Sequence, residues 1–262
     1  MDLELTGRVA LVTAASKGLG RATATRLAAE GARVMISSRG ADQLARTAQE
    51  IAEATGAQVE HCPADVADAA DLDRLLTETR ERLGGVDVLV NNAGGPRPGG
   101  FDALDDAAWQ GAFELNLLSS VRLFRGVLPH MREQRWGRIV TVASSSIKQP
   151  IDNLMLSNTF RVGILGLAKS LALEVAGDGV LVNTIGPGRI ATDRVASLDA
   201  AAAERTGLPV EEVRAKSEAA IPVGRYGTPE EFANVAAFLV SGANTYVTGQ
   251  NLLVDGGMVR AI

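Results

Sequence analysis

The run Thr13-Ala14-Ala15-Ser16-Lys17-Gly18-Leu19-Gly20 follows a short stretch of β-formers, Val9 to Thr13, and opens an Ala/Leu-rich segment. A passage from strand through glycine loop to helix aims backbone N–H groups and the positive end of the helix dipole at one point. That is the chemistry of pyrophosphate binding. The spacing is Gly-x-x-x-Gly-x-Gly with Ala14 in the first place. A second signal comes at the end of the next strand. Proteins that prefer NAD place an acid about 20 residues beyond the glycine loop to hold the ribose 2′-hydroxyl. Here Ser38 stands in its place, Arg39 follows, and Lys17 lies within the loop itself. Two cations with no carboxylate to repel an anion suit a 2′-phosphate, so NADP(H) is expected in preference to NAD(H).

Elements that position such a loop are legible along nearly the whole chain. Candidate strands are Val9 to Thr13, Val34 to Ser37, Val59 to Cys62, Val88 to Asn91, Arg138 to Val142, Leu181 to Ile185 and Leu252 to Val254. Segments long enough for crossover helices separate them, among them Leu19 to Glu30, Gln43 to Thr55, Leu72 to Leu83 and Val162 to Ala176. Runs such as Ile139-Val140-Thr141-Val142 are continuously apolar rather than alternating, as strands covered on both faces are. The pattern predicts an α/β fold, a single Rossmann-type doubly wound sheet of seven parallel strands flanked by helices. No repeat or linker divides residues 1–262, so one domain is expected. Between Pro187 and Pro229 the rhythm breaks. Ala200 to Ala203 and Val210 to Ala220 read as two short helices, an insertion at about 189–225 placed to cover a substrate.

Composition narrows the partners. A net charge of −5 argues against general affinity for nucleic-acid phosphates and leaves small molecules as ligands. The single cysteine, Cys62, forms no internal disulfide, and no Cys/His cluster has metal-ligand spacing; a reducing, cytoplasmic setting fits. Residues Met1 to Leu5 lack the basic start and apolar run of a signal peptide, and no apolar stretch is long enough to span a bilayer.

With these motifs in order the chain resembles the short-chain dehydrogenase/reductase family, and within it the 3-oxoacyl-(acyl-carrier-protein) reductase-like proteins. Asp65-Val66 stands where the family meets the adenine, and Asn91-Asn92-Ala93-Gly94 ends the fourth strand. Asn116 holds the place of a catalytic asparagine that positions water. Gly137-Arg138-Ile139-Val140 leads to Ser144, the serine that touches substrate oxygen in relatives. Pro187-Gly188-Arg189-Ile190-Ala191-Thr192 matches the nicotinamide-contacting turn, and Gly249-Gln250 with Val254-Asp255-Gly256-Gly257 completes the series. The resemblance implies coenzyme contacts from Thr13, Ala15 to Gly20, Ser38, Arg39, Asp65, Val66, Asn92, Ala93, Gly94, Arg161, Pro187, Gly188, Ile190 and Thr192. It also implies carbonyl/alcohol interconversion on a small substrate and a homotetramer or homodimer.

The chain departs from the family at its catalytic pair. Relatives carry Tyr-x-x-x-Lys on the helix after the fifth strand, and the register from Ser144 and from Gly163 to Ala176 puts Ser157 and Arg161 in those places. A serine hydroxyl is far less acidic than a phenol, and an arginine does not relay a proton by losing its own. At i and i+4 the two share a helix face, and the guanidinium offers a planar fork of donors. That fork suits the nicotinamide ribose, a substrate carbonyl or a substrate carboxylate. One account keeps an oxidoreductase in which Ser144, Ser157 and Arg161 stabilise an oxyanion and water, or another group, supplies the proton. Its alternative is a nucleotide-binding homologue without turnover, acting as a sensor or partner subunit; nothing in the sequence favours a lyase, isomerase or hydrolase. Lys148 is a candidate proton source against the default of a solvated loop lysine, and Asp152 and Asn153 share its loop. Arg189 and Arg194 flank the insertion and would attract an anionic substrate, or are plain surface charges. His61 and His130 lie away from the motifs and are read as structural, and Tyr226 and Tyr246, in a late loop and before the last strand, are no obvious substitutes for the missing tyrosine.

Overall fold

The computed structural model describes residues 1–261. Seven parallel strands form one sheet in the order β3-β2-β1-β4-β5-β6-β7. They are β1 (Val9–Thr13), β2 (Arg33–Ser38), β3 (Val59–Pro63), β4 (Val88–Asn91), β5 (Gly137–Val142), β6 (Val180–Pro187) and β7 (Asn251–Val254). Helices α1 (Gly18–Ala29), α2 (Ala41–Thr55) and α9 (Pro229–Leu239) serve one face, and α3 (Ala69–Leu83), α5 (Ser119–Glu133) and α6 (Met155–Val175) the other.

The continuous apolar runs have their reason in this layering. Along β1, Ala10 and Val12 pack with Leu27, Leu44, Ile51 and Phe232, while Val9 and Leu11 pack with Leu72, Leu75, Leu123 and Val127. Side chains alternate between faces, and both faces are dry. Each such Leu, Val or Phe contributes about 1.5–3 kcal/mol through burial.

Strand order reverses at β1, whose neighbours are β2 and β4. Helices leave these strands toward opposite faces, so a crevice opens beyond their carboxyl ends, where sheets of this kind bind ligands. Three features shape that edge. First, the helix after β4 is interrupted: α4 (Asp106–Phe113) runs through a π-helical turn at Glu114–Leu118 into α5, and Asn116 is the middle residue of that turn. Second, the loops after β4 and β5 are fastened together, since the Gly99 N–H donates to the Asn153 carbonyl at 2.8 Å and the Met155 N–H to the Gly99 carbonyl at 3.3 Å. Third, the insertion after β6 holds α7 (Asp193–Thr206) and α8 (Val210–Ala219).

Helix α7 begins seven residues before the alanine run that signals it in the sequence. Thr192 caps it by accepting from the Val195 N–H, and polar residues of its first two turns hide the helical period. The insertion is anchored from below. Asp199 of α7 is buried, takes an ion pair from Arg189 at 3.0 Å and accepts from the Tyr226 hydroxyl at 2.9 Å. Arg189 is therefore not a free surface charge. Thr228 and Glu231 close a reciprocal cap on α9, with Pro229 at its first position.

Candidate active site

The glycine loop is shaped by backbone contact. A Cβ on Gly20 would lie 2.4 Å from the Ala14 carbonyl oxygen and 2.8 Å from the Ala15 Cα, so only glycine fits there. Gly18 takes φ +58°, and Ala14 takes φ +48° although it carries a side chain. The loop is held on three sides. Thr13 Oγ1 donates to the Asn92 carbonyl at 2.6 Å and accepts from the Asn92 N–H at 2.9 Å. The Ala15 N–H donates to the Ser37 carbonyl at 3.0 Å, and Thr47 Oγ1 to the Ser16 carbonyl at 3.0 Å. The ends of β1, β2 and β4 are thus one rigid rim around the amino terminus of α1.

The opening of α7 rests on this rim. Thr192 packs against Gly18, and Lys17 Nζ pairs with Asp193 Oδ2 at 3.2 Å. Lys17 and Arg39, paired in the sequence argument, are thereby separated in their contacts. Arg39 instead lines a surface pocket of about 390 Å³ with Pro63, Ala64, Asp65, Asp71 and Arg74. Asp65 is fixed there: its N–H donates to Asp71, and its carboxylate accepts from the Ala67 N–H. That Asp65 N–H, followed by the Arg74 guanidinium, holds the Asp71 carboxyl below the usual carboxylate range. Arg74 is the residue the motif reading missed, because its place depends on how α3 packs beside β3. Ser38 Oγ is buried with no hydrogen-bond partner among the described residues, and so is Ser37 Oγ. A buried hydroxyl left unpaired costs about 1–3 kcal/mol, which a ligand hydroxyl or phosphate oxygen at this place would recover.

The reacting end lies beyond β4 and β5. Asn116 Nδ2 donates to the Gly94 carbonyl at 3.1 Å, and its Oδ1 is buried and unpartnered among the described residues. Ser144 stands two residues past β5, with its Oγ accepting from the Ser146 N–H at 3.1 Å. Ser157, the third residue of α6, is buried. Arg161, one turn on, is only 6% exposed. Its Nη1 donates to the Val142 carbonyl at 2.7 Å, two residues before Ser144 in the chain. The structure so brings Arg161 to the end of β5 and Asn116 to the end of β4, without a direct hydrogen bond between Ser144, Ser157 and Arg161. Burial, and next the repulsion of Arg194, pull the Arg161 pKa down to about 10.

Asn158 has a positional duty that the motifs did not reveal. Its Oδ1 accepts from the Ile151 N–H at 3.2 Å and its Nδ2 donates to the Ile151 carbonyl at 2.9 Å, which folds the loop carrying Lys148, Asp152 and Asn153 back on α6. Lys148 is exposed. Neither tyrosine takes the vacant role: the Tyr226 hydroxyl is spent on Asp199, and Tyr246 is 96% exposed just before β7. His130 pairs with Asp87 at 3.0 Å at the opposite, amino-terminal edge of the sheet, and His61 lies within β3. Among the described residues no His/Cys/Asp/Glu group is arranged to hold a metal, and no helix is long and apolar enough to cross a membrane.

A family model described as enoyl-(acyl carrier protein) reductase matches residues 13–259. The chain is also 38% identical over 254 residues to the 3-oxoacyl-(acyl-carrier-protein) reductase FabG of Escherichia coli, covering 96% of this chain and 97% of that one. It belongs to the short-chain dehydrogenase/reductase family. The corresponding reductase of Aquifex aeolicus is 36% identical over 260 residues, covering 98% of this chain and 100% of that one. Among solved structures, the L-sorbose reductase of Gluconobacter frateurii, complexed with NADPH and L-sorbose, superimposes with a TM-score of 0.95 at 33% identity over the full length of both chains. As a short-chain dehydrogenase/reductase the protein is a nicotinamide-coenzyme-dependent oxidoreductase acting on CH–OH and C=O groups.

Proposed function

We propose that the protein is a cytoplasmic, homo-oligomeric NADP(H)-dependent reductase of a small carbonyl compound, in which the reacting oxygen meets Ser144 and the proton comes from solvent instead of a phenol. The observation that carries the reading is the meeting, at one sheet edge, of a cradle only glycine permits and a serine held at the next strand end but one.

The residues fit a phosphorylated dinucleotide. The rim around Gly18 to Gly20 offers N–H groups to a diphosphate. Arg39 offers its charge to a 2′-phosphate, and the unpaired Ser38 hydroxyl lies beside it in the chain. Lys17 joins Arg39 only by giving up Asp193. Both Lys17 and Asp193 are well exposed in that pair, so its loss costs at most about 1 kcal/mol. A nicotinamide coenzyme bound in the cradle supplies two electrons and one hydrogen to the carbonyl carbon.

What remains for the chain is to hold the carbonyl oxygen and let a proton reach it. Ser144 Oγ accepts one backbone N–H and keeps its own hydrogen free to donate to that oxygen. Asn116 Oδ1, buried and unpaired, is placed to fix a water. Arg161 adds positive potential near the end of β5, which favours a developing alkoxide in a site of low dielectric. Without an acidic phenol the proton passes from water, and turnover of simple ketones is slow but present.

Titration with each coenzyme tests the reading. NADPH is expected to bind at least tenfold more tightly than NADH, and Arg39→Ser to remove that margin while leaving NADH affinity within twofold. Equal or NADH-favoured affinity in the unaltered protein excludes the NADP(H) assignment. Tight NADPH binding with no oxidation of it by any ketone, aldehyde or oxo acid in a broad panel would favour a sensor or partner subunit.

A further inference from the structure

Arg161 carries a cation into the protein interior and finds little there to balance it. Its only hydrogen bond among the described residues is the one to the Val142 carbonyl, and no carboxylate lies within ion-pair distance. A guanidinium has five N–H donors, and a buried charge without a counter-charge is strongly unfavourable. The nearest charged influence makes matters worse, because it is a second arginine. Arg194, in the first turn of α7, is exposed and likewise has no ion pair among the described residues. One end of its guanidinium lies over Gly95, 2.8 Å from where a Cβ would stand, just past the Gly94 that Asn116 grips. Acids near by are engaged elsewhere: Asp193 with Lys17, and Asp199 with Arg189 and Tyr226. Two guanidiniums thus stand without an acid partner among the described residues, Arg161 at the end of β5 and Arg194 over Gly95, just past the end of the neighbouring β4.

We infer that Arg161 and Arg194 bind the carboxylate of the substrate, which is a 2-oxo or 3-oxo acid reduced to its hydroxy acid. The position sets the distance. Arg161 is hydrogen-bonded two residues from Ser144, so an anion on its fork and a carbonyl oxygen on Ser144 belong to adjacent parts of one small molecule. The coenzyme supplies two electrons and one hydrogen to the carbonyl carbon, and water supplies the proton to oxygen, so the step balances. This inference deepens the reductase reading and depends on it. The other source of an oxyanion at this place is the coenzyme diphosphate, for which the N–H groups of Gly18 to Gly20 already provide.

Oxamate, a non-reducible mimic of a 2-oxo acid, and its uncharged amide, oxamide, separate these cases by calorimetric titration of the protein with and without saturating NADPH. Oxamate is expected to bind at least tenfold more tightly than oxamide. Arg194→Gln, an exposed position that leaves the fold intact, should weaken oxamate at least tenfold with NADPH affinity within twofold. Equal binding of oxamate and oxamide overturns the inference; so does an Arg194→Gln protein that loses NADPH affinity as much as oxamate affinity, which would assign the anion to the coenzyme. Should NADPH fail to bind at all, the reductase reading falls, while charge-dependent oxamate binding in the coenzyme-free protein would still support the anion site. Arg161→Gln gives an independent check. With its unpaired charge gone the free protein should melt at a higher temperature than the parent, and oxamate, which raises the parent's melting point, should no longer shift it. An unchanged oxamate shift in that variant also overturns the inference.

Discussion

The two ends of the crevice are built by different means. At the coenzyme end the shape is a property of backbone: Gly20 touches Ala14 and Ala15, Thr13 ties β1 to β4, and almost no side-chain chemistry is required. At the reacting end the backbone frame is equally firm, yet the side chains on it, Ser157 and Arg161, differ in kind from the family's phenol and amine. A cradle of main chain tolerates few substitutions because each one moves the frame. A proton-transfer pair sits on a finished frame and is free to change, with the consequences confined to chemistry.

The sharpest way to break this contrast is Gly20→Ala. The new methyl would meet backbone on two sides, which cannot withdraw, so NADPH affinity should fall at least a hundredfold, with about 3 kcal/mol lost in chemical denaturation. An alanine accepted without either change would show that the cradle is not set by main-chain contact. Next in size is the joint substitution Ser157→Tyr with Arg161→Lys. General acid catalysis is worth about 10²-fold or more, and NADPH oxidation with simple ketones should rise by that order if the frame is otherwise complete. Turnover left at its baseline would place the defect elsewhere in the site.

A smaller effect sharpens the backbone side. Ala14 holds φ +48°, a left-handed conformation that disfavours a side chain by about 1–2 kcal/mol, partly offset by the greater chain entropy of glycine. Ala14→Gly should thus stabilise the protein by about 0.5–1 kcal/mol in chemical denaturation, and a loss of stability would contradict the conformation. The least effect concerns pH, at the start of α9. The Arg225 guanidinium, followed by the Thr228 N–H, lowers the Glu231 carboxyl from the usual 4.5 to about 2. Its stabilising contribution is complete above about pH 4.5 and is lost as the pH falls toward 2. Glu231→Gln should flatten that part of the melting-temperature profile; profiles of equal slope would remove the ion pair from the account.

Much of this frame was legible before any coordinates. All seven strands lie where the sequence predicts them; β1, β4 and β5 are dry on both faces and have no polar alternation to blur their limits, while the edge strands β3 and β7 are partly exposed, and the crossover helices follow from their length. Boundaries shift where tertiary contacts extend an element. Strand β6 continues to Pro187 through pairing with β7, and α7 starts at Asp193 behind a threonine cap instead of at the alanine run. Ser157 and Arg161 could be located by register alone. What Arg161 does could not: its bond to Val142, the approach of Arg194 to Gly95, and the diversion of Lys17 to Asp193 join residues far apart in the chain. No spacing rule encodes such meetings, since they depend on how the insertion folds over the sheet.

The π-helical turn at Glu114–Leu118 is a helix with one surplus residue. A regular spiral through the same stretch would swing every later side chain by about 100°, and the face of α5 that packs on α3 could not coexist with an inward-pointing Asn116. The extra residue acts like an offset link in a gear train, letting a single rod answer to two neighbours with incompatible phases. Excising one residue there would leave the helix more regular and the protein worse, since either the packing or the grip on Gly94 would be thrown out of phase.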